Sequence, residues 1–227
     1  MKSFQSGVRR CARFLVWSLA LFVFAAVPRA PAKEGAIQCA NLVYGGTQTS
    51  RCFSDEFLSA VQRETTIATE RRFKSVKLDS DELYQYPFVL ITGESTFFFS
   101  SRERTNLKKY LSHGGFLLAS AGCSSKDWDR AFRKEVEEMF GAGTLKKIPS
   151  DHALFRTVRV VEQIRLNHPG EPAYLEGLEL NGKLVLVYSP HGLNDTAHSE
   201  GCCCCGGNEI ANAQELNVNI LMYALMH

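Results

Sequence analysis

Up to residue 140 the chain alternates short apolar runs, rich in β-branched and aromatic residues, with longer amphipathic stretches. No other feature restricts the fold so strongly, because repeated strand–helix–strand units build a mainly parallel sheet with helices on both faces. Ile37 to Tyr44 is expected as a buried strand broken by Gly45-Gly46-Thr47. A helix should follow from about Ser54 to Arg71, with Asp55 and Glu56 in the first turn, where the helix dipole favours acids. Phe73 to Leu78, Phe88 to Thr92 and Phe116 to Ala119 are further strand candidates. Ser100-Ser101-Arg102-Glu103 has the form of a capping box and opens a helix that stops at Gly114-Gly115. Ser124 or Ser125 can cap the next helix, whose Trp128, Phe132, Val136 and Phe140 form one apolar stripe.

Beyond residue 140 the pattern changes. Residues 145–163 fit no single period, whereas Asn181-Gly182 between Tyr174–Leu180 and Lys183–Tyr188 is a strong hairpin signal that adds one antiparallel strand. A last helix is expected from about Asn208 to Met226, with Ile210, Ala213, Leu216, Ile220 and Ala224 on its buried face. With no internal repeat and no long linker, residues 36–227 are expected to form one domain.

Lys and Arg total 26 against 24 Asp and Glu, but five of the positive charges and none of the acids lie in residues 1–32. The rest of the chain is slightly acidic, which argues against a nucleic-acid partner. Arg9, Arg10 and Arg13 precede the apolar run Phe14–Val27, and Ala30-Pro31-Ala32 offers small residues for cleavage. This is the layout of a secretory signal peptide over residues 1–32, implying an exported, periplasmic or secreted protein. Membrane attachment would come only through an uncleaved signal anchor.

Seven cysteines follow that segment: Cys39, Cys52, Cys123 and the uninterrupted Cys202, Cys203, Cys204 and Cys205. An odd number in an exported chain cannot be paired fully within one molecule. In an open α/β sheet ligands bind at the carboxyl ends of strands, where the loops lead into helix N-termini. The loops expected there contain Gly45, Gly46, Thr47 and Cys52, then Glu94, then Cys123, and finally His191, Asn194, Asp195, His198 and the four adjacent cysteines.

Cys123 falls at a strand-to-helix turn, where backbone N–H groups favour a thiolate, so it is a candidate nucleophile as well as a small packing residue. Glu94 and His191 are candidates for moving a proton. Gly45, Gly46, Thr47, Asn194 and Asp195 are candidates for binding a small ligand, although the glycines fit neither phosphate-binding fingerprint. Cys202–Cys205, with His198 and Cys52, are candidate metal ligands, since soft thiolates near imidazoles suit zinc, copper(I) or an iron–sulfur centre. Adjacent cysteines seldom chelate one ion together, so disulfides and thiol chemistry stand beside that reading. The function expected is metal or small-ligand binding through a cysteine-rich rim. Its alternatives are a hydrolase or transferase using Cys123 and a structural domain held by disulfides.

The segments Asn41-Leu42-Val43-Tyr44-Gly45-Gly46, Gly93-Glu94, Tyr110 through Ala119, Ala121-Gly122-Cys123 and Tyr188-Ser189-Pro190 through Asn212 resemble the bacterial domain of unknown function four-one-five-nine. The resemblance spans nearly all of residues 39–226. It implies a class I glutamine-amidotransferase-like fold near the trehalose-utilisation-like proteins, and hence a flavodoxin-like sheet. Amidotransferases of that class use an elbow cysteine with a His and a Glu after a later strand. Cys123 matches the elbow position without its flanking glycine pattern, and His191 follows a late strand without the H-x-E spacing. Relatives lacking the triad bind ligands or sugars instead, so the resemblance implies a fold and no settled activity.

Overall fold

The computed structural model describes residues 35–46, 53, 55–193 and 209–227. The expected signal peptide, over residues 1–32, lies outside them. Strands β1 (Ala40–Val43), β2 (Lys74–Lys77), β3 (Phe88–Gly93), β4 (Phe116–Ala121), β5 (Lys146–Lys147), β6 (Glu176–Leu180) and β7 (Lys183–Ser189) form one sheet in the order β2-β1-β3-β4-β7-β6-β5. The five strands from β2 to β7 are mutually parallel, and β6 pairs antiparallel with both β7 and β5. The parallel part has the 2-1-3-4-5 order of flavodoxin-like folds, which the family resemblance implies, while the alternation predicts only that its strands run parallel.

Helices cover both faces. Strand alternation sends Leu42, Val89, Ile91, Leu117 and Ala119 to one face, where α2 (Ser101–Ser112) contributes Leu107 and Leu111, and α3 (Lys126–Phe140) contributes Trp128, Phe132 and Val136. Cys39, Phe88, Leu90, Phe116 and Leu118 face the other way, against α1 (Asp55–Glu64) and α4 (Ala213–Met226). The capping box at Ser100 and Glu103 is formed in both directions, and Ser125 caps α3 by accepting from the Trp128 N–H at 3.3 Å. Asn181 and Gly182 both take positive φ, 52° and 74°, as a tight two-residue hairpin turn requires.

Two segments differ from expectation. Helix α1 ends at Glu64 rather than near Arg71. The Thr65 hydroxyl donates to the Val61 carbonyl and accepts from the Ile67 N–H, and the chain then runs beside Ile37, whose N–H donates to Ala68 O at 2.8 Å. Between β2 and β3 lies a short 3₁₀ turn, Asp81–Gln85. Helix α4 starts at Ala213 because the residues before it are extended against 165–167, with the Ala211 N–H donating to Arg165 O at 2.7 Å and Asn167 N–H to Glu209 O at 2.8 Å.

Residues 149–175, which include much of the stretch without a clear period, cross α4 largely without regular structure. Their backbone is satisfied by asparagines near or on that helix. Asn219 Oδ1 accepts from the Val158 and Arg159 N–H groups, Asn219 Nδ2 donates to Arg159 O, and Asn212 bonds Arg165 N–H and Gln163 O. Buried backbone groups need such partners wherever a ladder is missing.

Candidate functional site

The register places Gly93 beside Ala121 and Ser120 beside Ser189, so the loops leaving β3, β4 and β7 open along one edge of the sheet. At that edge β1 leads to α1 on one face and its neighbour β3 leads to α2 on the other. Such a reversal opens a crevice at the strand ends.

Close backbone contact builds the centre of this edge. A Cβ on Gly122 would stand 3.1 Å from the Gly93 carbonyl oxygen and 3.2 Å from Glu94 Cγ, so glycine lets the β4 turn approach the end of β3 a few tenths of an ångström more closely than another residue would. The next residue, Cys123, sits at φ 50°, ψ 27°, and Ser124 at φ 54°. Both are in the left-handed region, which costs an L-residue roughly 1–2 kcal/mol. Side chains hold the turn against that cost: the Ser125 hydroxyl donates to the Glu94 carbonyl while its oxygen caps α3. The outcome is a partly exposed Cys123 whose Sγ lies 3.5 Å from Glu94 Oε1, in position to donate its S–H to the carboxylate.

The floor beneath is rigid and aromatic. A Cβ on Gly93 would fall 2.3 Å from the Tyr44 hydroxyl and 2.7 Å from Trp128 Nε1, because those two side chains cross over it. The Trp128 N–H donates to the Tyr44 oxygen at 2.7 Å, and the Tyr44 O–H donates to Thr92 O at 3.0 Å. Burial raises the Tyr44 phenol above its ordinary range, so it stays protonated as that donor.

His191 follows β7. Its ring meets Tyr174 edge to face at 5.9 Å, and partial burial lowers its pKa below 6.5, with the Lys126 ammonium acting in the same direction and Asp129 opposing it. The imidazole is therefore neutral at neutral pH. The segment is tied to the Cys123 turn: the Gly192 N–H donates to Ser124 Oγ at 3.4 Å and the Leu193 N–H to Ser120 Oγ at 2.9 Å. Asn217 of α4 fixes the same stretch by donating to Leu193 O at 2.9 Å. Beside it the Tyr188 hydroxyl donates to Asp129, whose carboxylate also takes Arg133 Nε at 2.8 Å, and Arg133 pairs with Glu176 at 2.7 Å.

At the β1 end, Gly45 and Gly46 have φ of 54° and 90°. The Gly45 N–H donates to Glu103 Oε1 at 2.8 Å, while Glu103 Oε2 accepts from the Ser100 N–H at 2.7 Å. One buried carboxylate thus ties the β1 loop to the start of α2. Cavities of about 660 and 570 Å³ lined by described residues lie elsewhere, around β5, β6 and residues 161–175.

The family described as Domain of unknown function (DUF4159) matches residues 38–225, from the entry to β1 almost to the end of α4. The chain belongs to this family. No curated protein matches it. Among solved structures, a ThuA-like protein from Bacteroides uniformis ATCC 8492 is similar at 11% identity with a TM-score of 0.42, over 88% of this chain and 95% of that one.

Within this DUF4159 domain the edge brings Cys123 and Glu94 into contact and ties the His191 loop to Ser120 and Ser124. Thr47, Cys52, Asn194, Asp195, His198 and Cys202–Cys205 lie outside the described residues. Among the described residues no group of three His, Cys, Asp or Glu side chains is set to hold a metal ion, and no helix is long and apolar enough to cross a membrane. Sequence reasoning missed Ser120, Tyr174 and Asn217, and it gave Glu103 and Ser124 helix-capping roles without their bonds to Gly45 and Gly192. The run Ser120-Ala121-Gly122-Cys123-Ser124-Ser125 carried one available signal, since three hydroxyls at a strand end are more than helix capping needs.

Proposed function

We propose that this DUF4159 protein is an exported thiol-dependent hydrolase or transferase in which Cys123 attacks an acyl carbon. The observation that carries the reading is the left-handed Cys123 turn with its thiol against Glu94. A strained backbone held by surrounding bonds is the usual mark of a residue positioned for chemistry. As the S–C bond forms, the thiol proton passes to the Glu94 carboxylate. It then goes to the leaving amine or alcohol as the C–N or C–O bond breaks, leaving a thioester. The neutral His191 imidazole is suited to take a proton from the water or acceptor that attacks this thioester and to return it to the Cys123 sulfur as the S–C bond breaks and the acid or acylated acceptor is released. Export rests on the charged and apolar pattern of residues 1–32.

The test uses p-nitrophenyl acetate at neutral pH. One acetyl group is expected on the peptide containing Cys123, with no p-nitrophenolate burst in Cys123→Ala. Acetylation of Cys123 no faster in the folded than in the unfolded protein would contradict the reading.

A second reading, metal or small-ligand binding by Cys202–Cys205 with His198 and Cys52, is supported by the placement of the described residues that flank 194–208. The Ile210 N–H donates to Gly192 O at 3.0 Å, and the Gly192 N–H reaches Ser124 Oγ, so the described residues on either side of 194–208 lie beside the Cys123 turn. Stoichiometric zinc, copper or iron in freshly purified, reduced protein is the expected result; none above background would contradict it.

A further inference from the structure

Phe97, Phe98 and Phe99 lie on the loop between Glu94 and α2, and they have opposite fates. Phe97 and Phe99 are buried, Phe97 against Tyr44 at 4.8 Å and Trp128 at 5.5 Å, and Phe99 against Tyr44 at 5.9 Å. Phe98 between them is 75% exposed, the largest fraction among the large apolar residues described. Looseness of the chain does not account for this exposure, because the backbone that carries Phe98 is anchored on both sides by the buried Phe97 and Phe99. The loop's start is also bound to α3 by the Ser125 hydroxyl at Glu94 O, and its end by the capping box at Ser100. An isolated exposed apolar residue is ordinary on a protein surface. A phenyl ring held out between two buried neighbours, on the loop that carries the carboxylate facing Cys123, is a prepared contact surface.

We infer that Phe98 is a specificity-determining residue that receives an apolar, aromatic or aliphatic, group of the substrate bound at Cys123. The inference rests on the thiol-enzyme reading and names its substrate class: acyl compounds with an apolar substituent next to the reacting carbonyl. Phe98 itself takes no part in bond making. It adds buried contact area to the substrate, while Glu94 and Cys123 carry out the chemistry.

The experiment compares two reagents with the same reacting carbon, iodoacetamide and its N-phenyl derivative iodoacetanilide, on the full chain. Modification of the Cys123 peptide is followed by mass. In the parent protein the anilide-to-amide rate ratio should exceed that of N-acetylcysteine. Phe98→Ala should lower the ratio about five-fold with the iodoacetamide rate unchanged, and Phe98→Leu should retain most of it. A ratio unaltered in Phe98→Ala, or an equal fall in both rates, overturns the role of Phe98. Cys123 reacting with neither reagent faster than N-acetylcysteine overturns the thiol-enzyme reading itself.

Discussion

Cys123 Sγ and Glu94 Oε1 are 3.5 Å apart, across 29 residues of sequence, because Gly122 lets the two strand ends close on each other. Gly122→Ala would place a Cβ 3.1 Å from a backbone oxygen, a contact relieved by a shift of a few tenths of an ångström. Stability should fall only by about 1 kcal/mol, whereas acylation of Cys123 by p-nitrophenyl acetate should fall about ten-fold or more, since small misplacements at a reacting pair are costly. Denaturant titration and burst kinetics on the same variant separate the two effects.

The backbone at Cys123 predicts an unusual order of stabilities. With φ at 50°, any side chain there is strained, and glycine relieves the strain. Cys123→Gly should therefore be more stable than Cys123→Ala by about 1 kcal/mol, reversing the usual ranking of the two residues. Matched urea titrations check it; an alanine variant as stable as the glycine variant would remove the strain argument.

Tyr44 accepts the hydrogen bond of the buried Trp128 indole N–H, at 2.7 Å. Tyr44→Phe leaves that donor without its partner at a cost of about 1–3 kcal/mol. Gly93→Ala should cost at least as much, since its Cβ would overlap both side chains. Thermal melts, with tryptophan fluorescence as the probe, report both.

His191 links stability to acidity. Its native pKa is depressed by burial and by Lys126, so below 6.5 the unfolded chain binds a proton that the folded chain resists. This contribution is complete above pH 6.5 and is lost as pH falls through the native value. His191→Gln should flatten stability against pH in that window, as urea midpoints at pH 5 and 7 would show. An unchanged slope would mean that the ring titrates normally.

Much of the fold was legible because its signals are local. The Ser100–Glu103 box, the Asn181-Gly182 turn and the Trp128-Phe132-Val136 stripe each act within a few residues, and the strand–helix alternation sets the parallel sense of the strands. The end of α1 was not legible, since the pairing of Ile37 with 68–70 competes with helical continuation there. Nor was the path of 149–175. Its partners are the buried Asn212 and Asn219, which look like solvent-facing polar positions in the sequence. At the site, the elbow position of Cys123 could be foreseen from the strand-to-helix transition. The absence of a following glycine pointed away from it, and Ser124 takes the left-handed conformation in glycine's place. The contact with Glu94 depends on two strand ends meeting through Gly122, which no spacing in the chain encodes.

Cys39 provides an internal reference for the central claim, because burial pushes its thiol up to about 12 and keeps it inert near neutrality. The direct measurement is the rate of iodoacetamide alkylation at Cys39 and Cys123, resolved by peptide mass at pH 7 in folded and urea-unfolded protein. Cys123 is expected to react about ten-fold faster folded than unfolded, with Cys39 unmodified until the chain unfolds. Equal or slower alkylation of Cys123 in the folded state would contradict its assignment as a nucleophile.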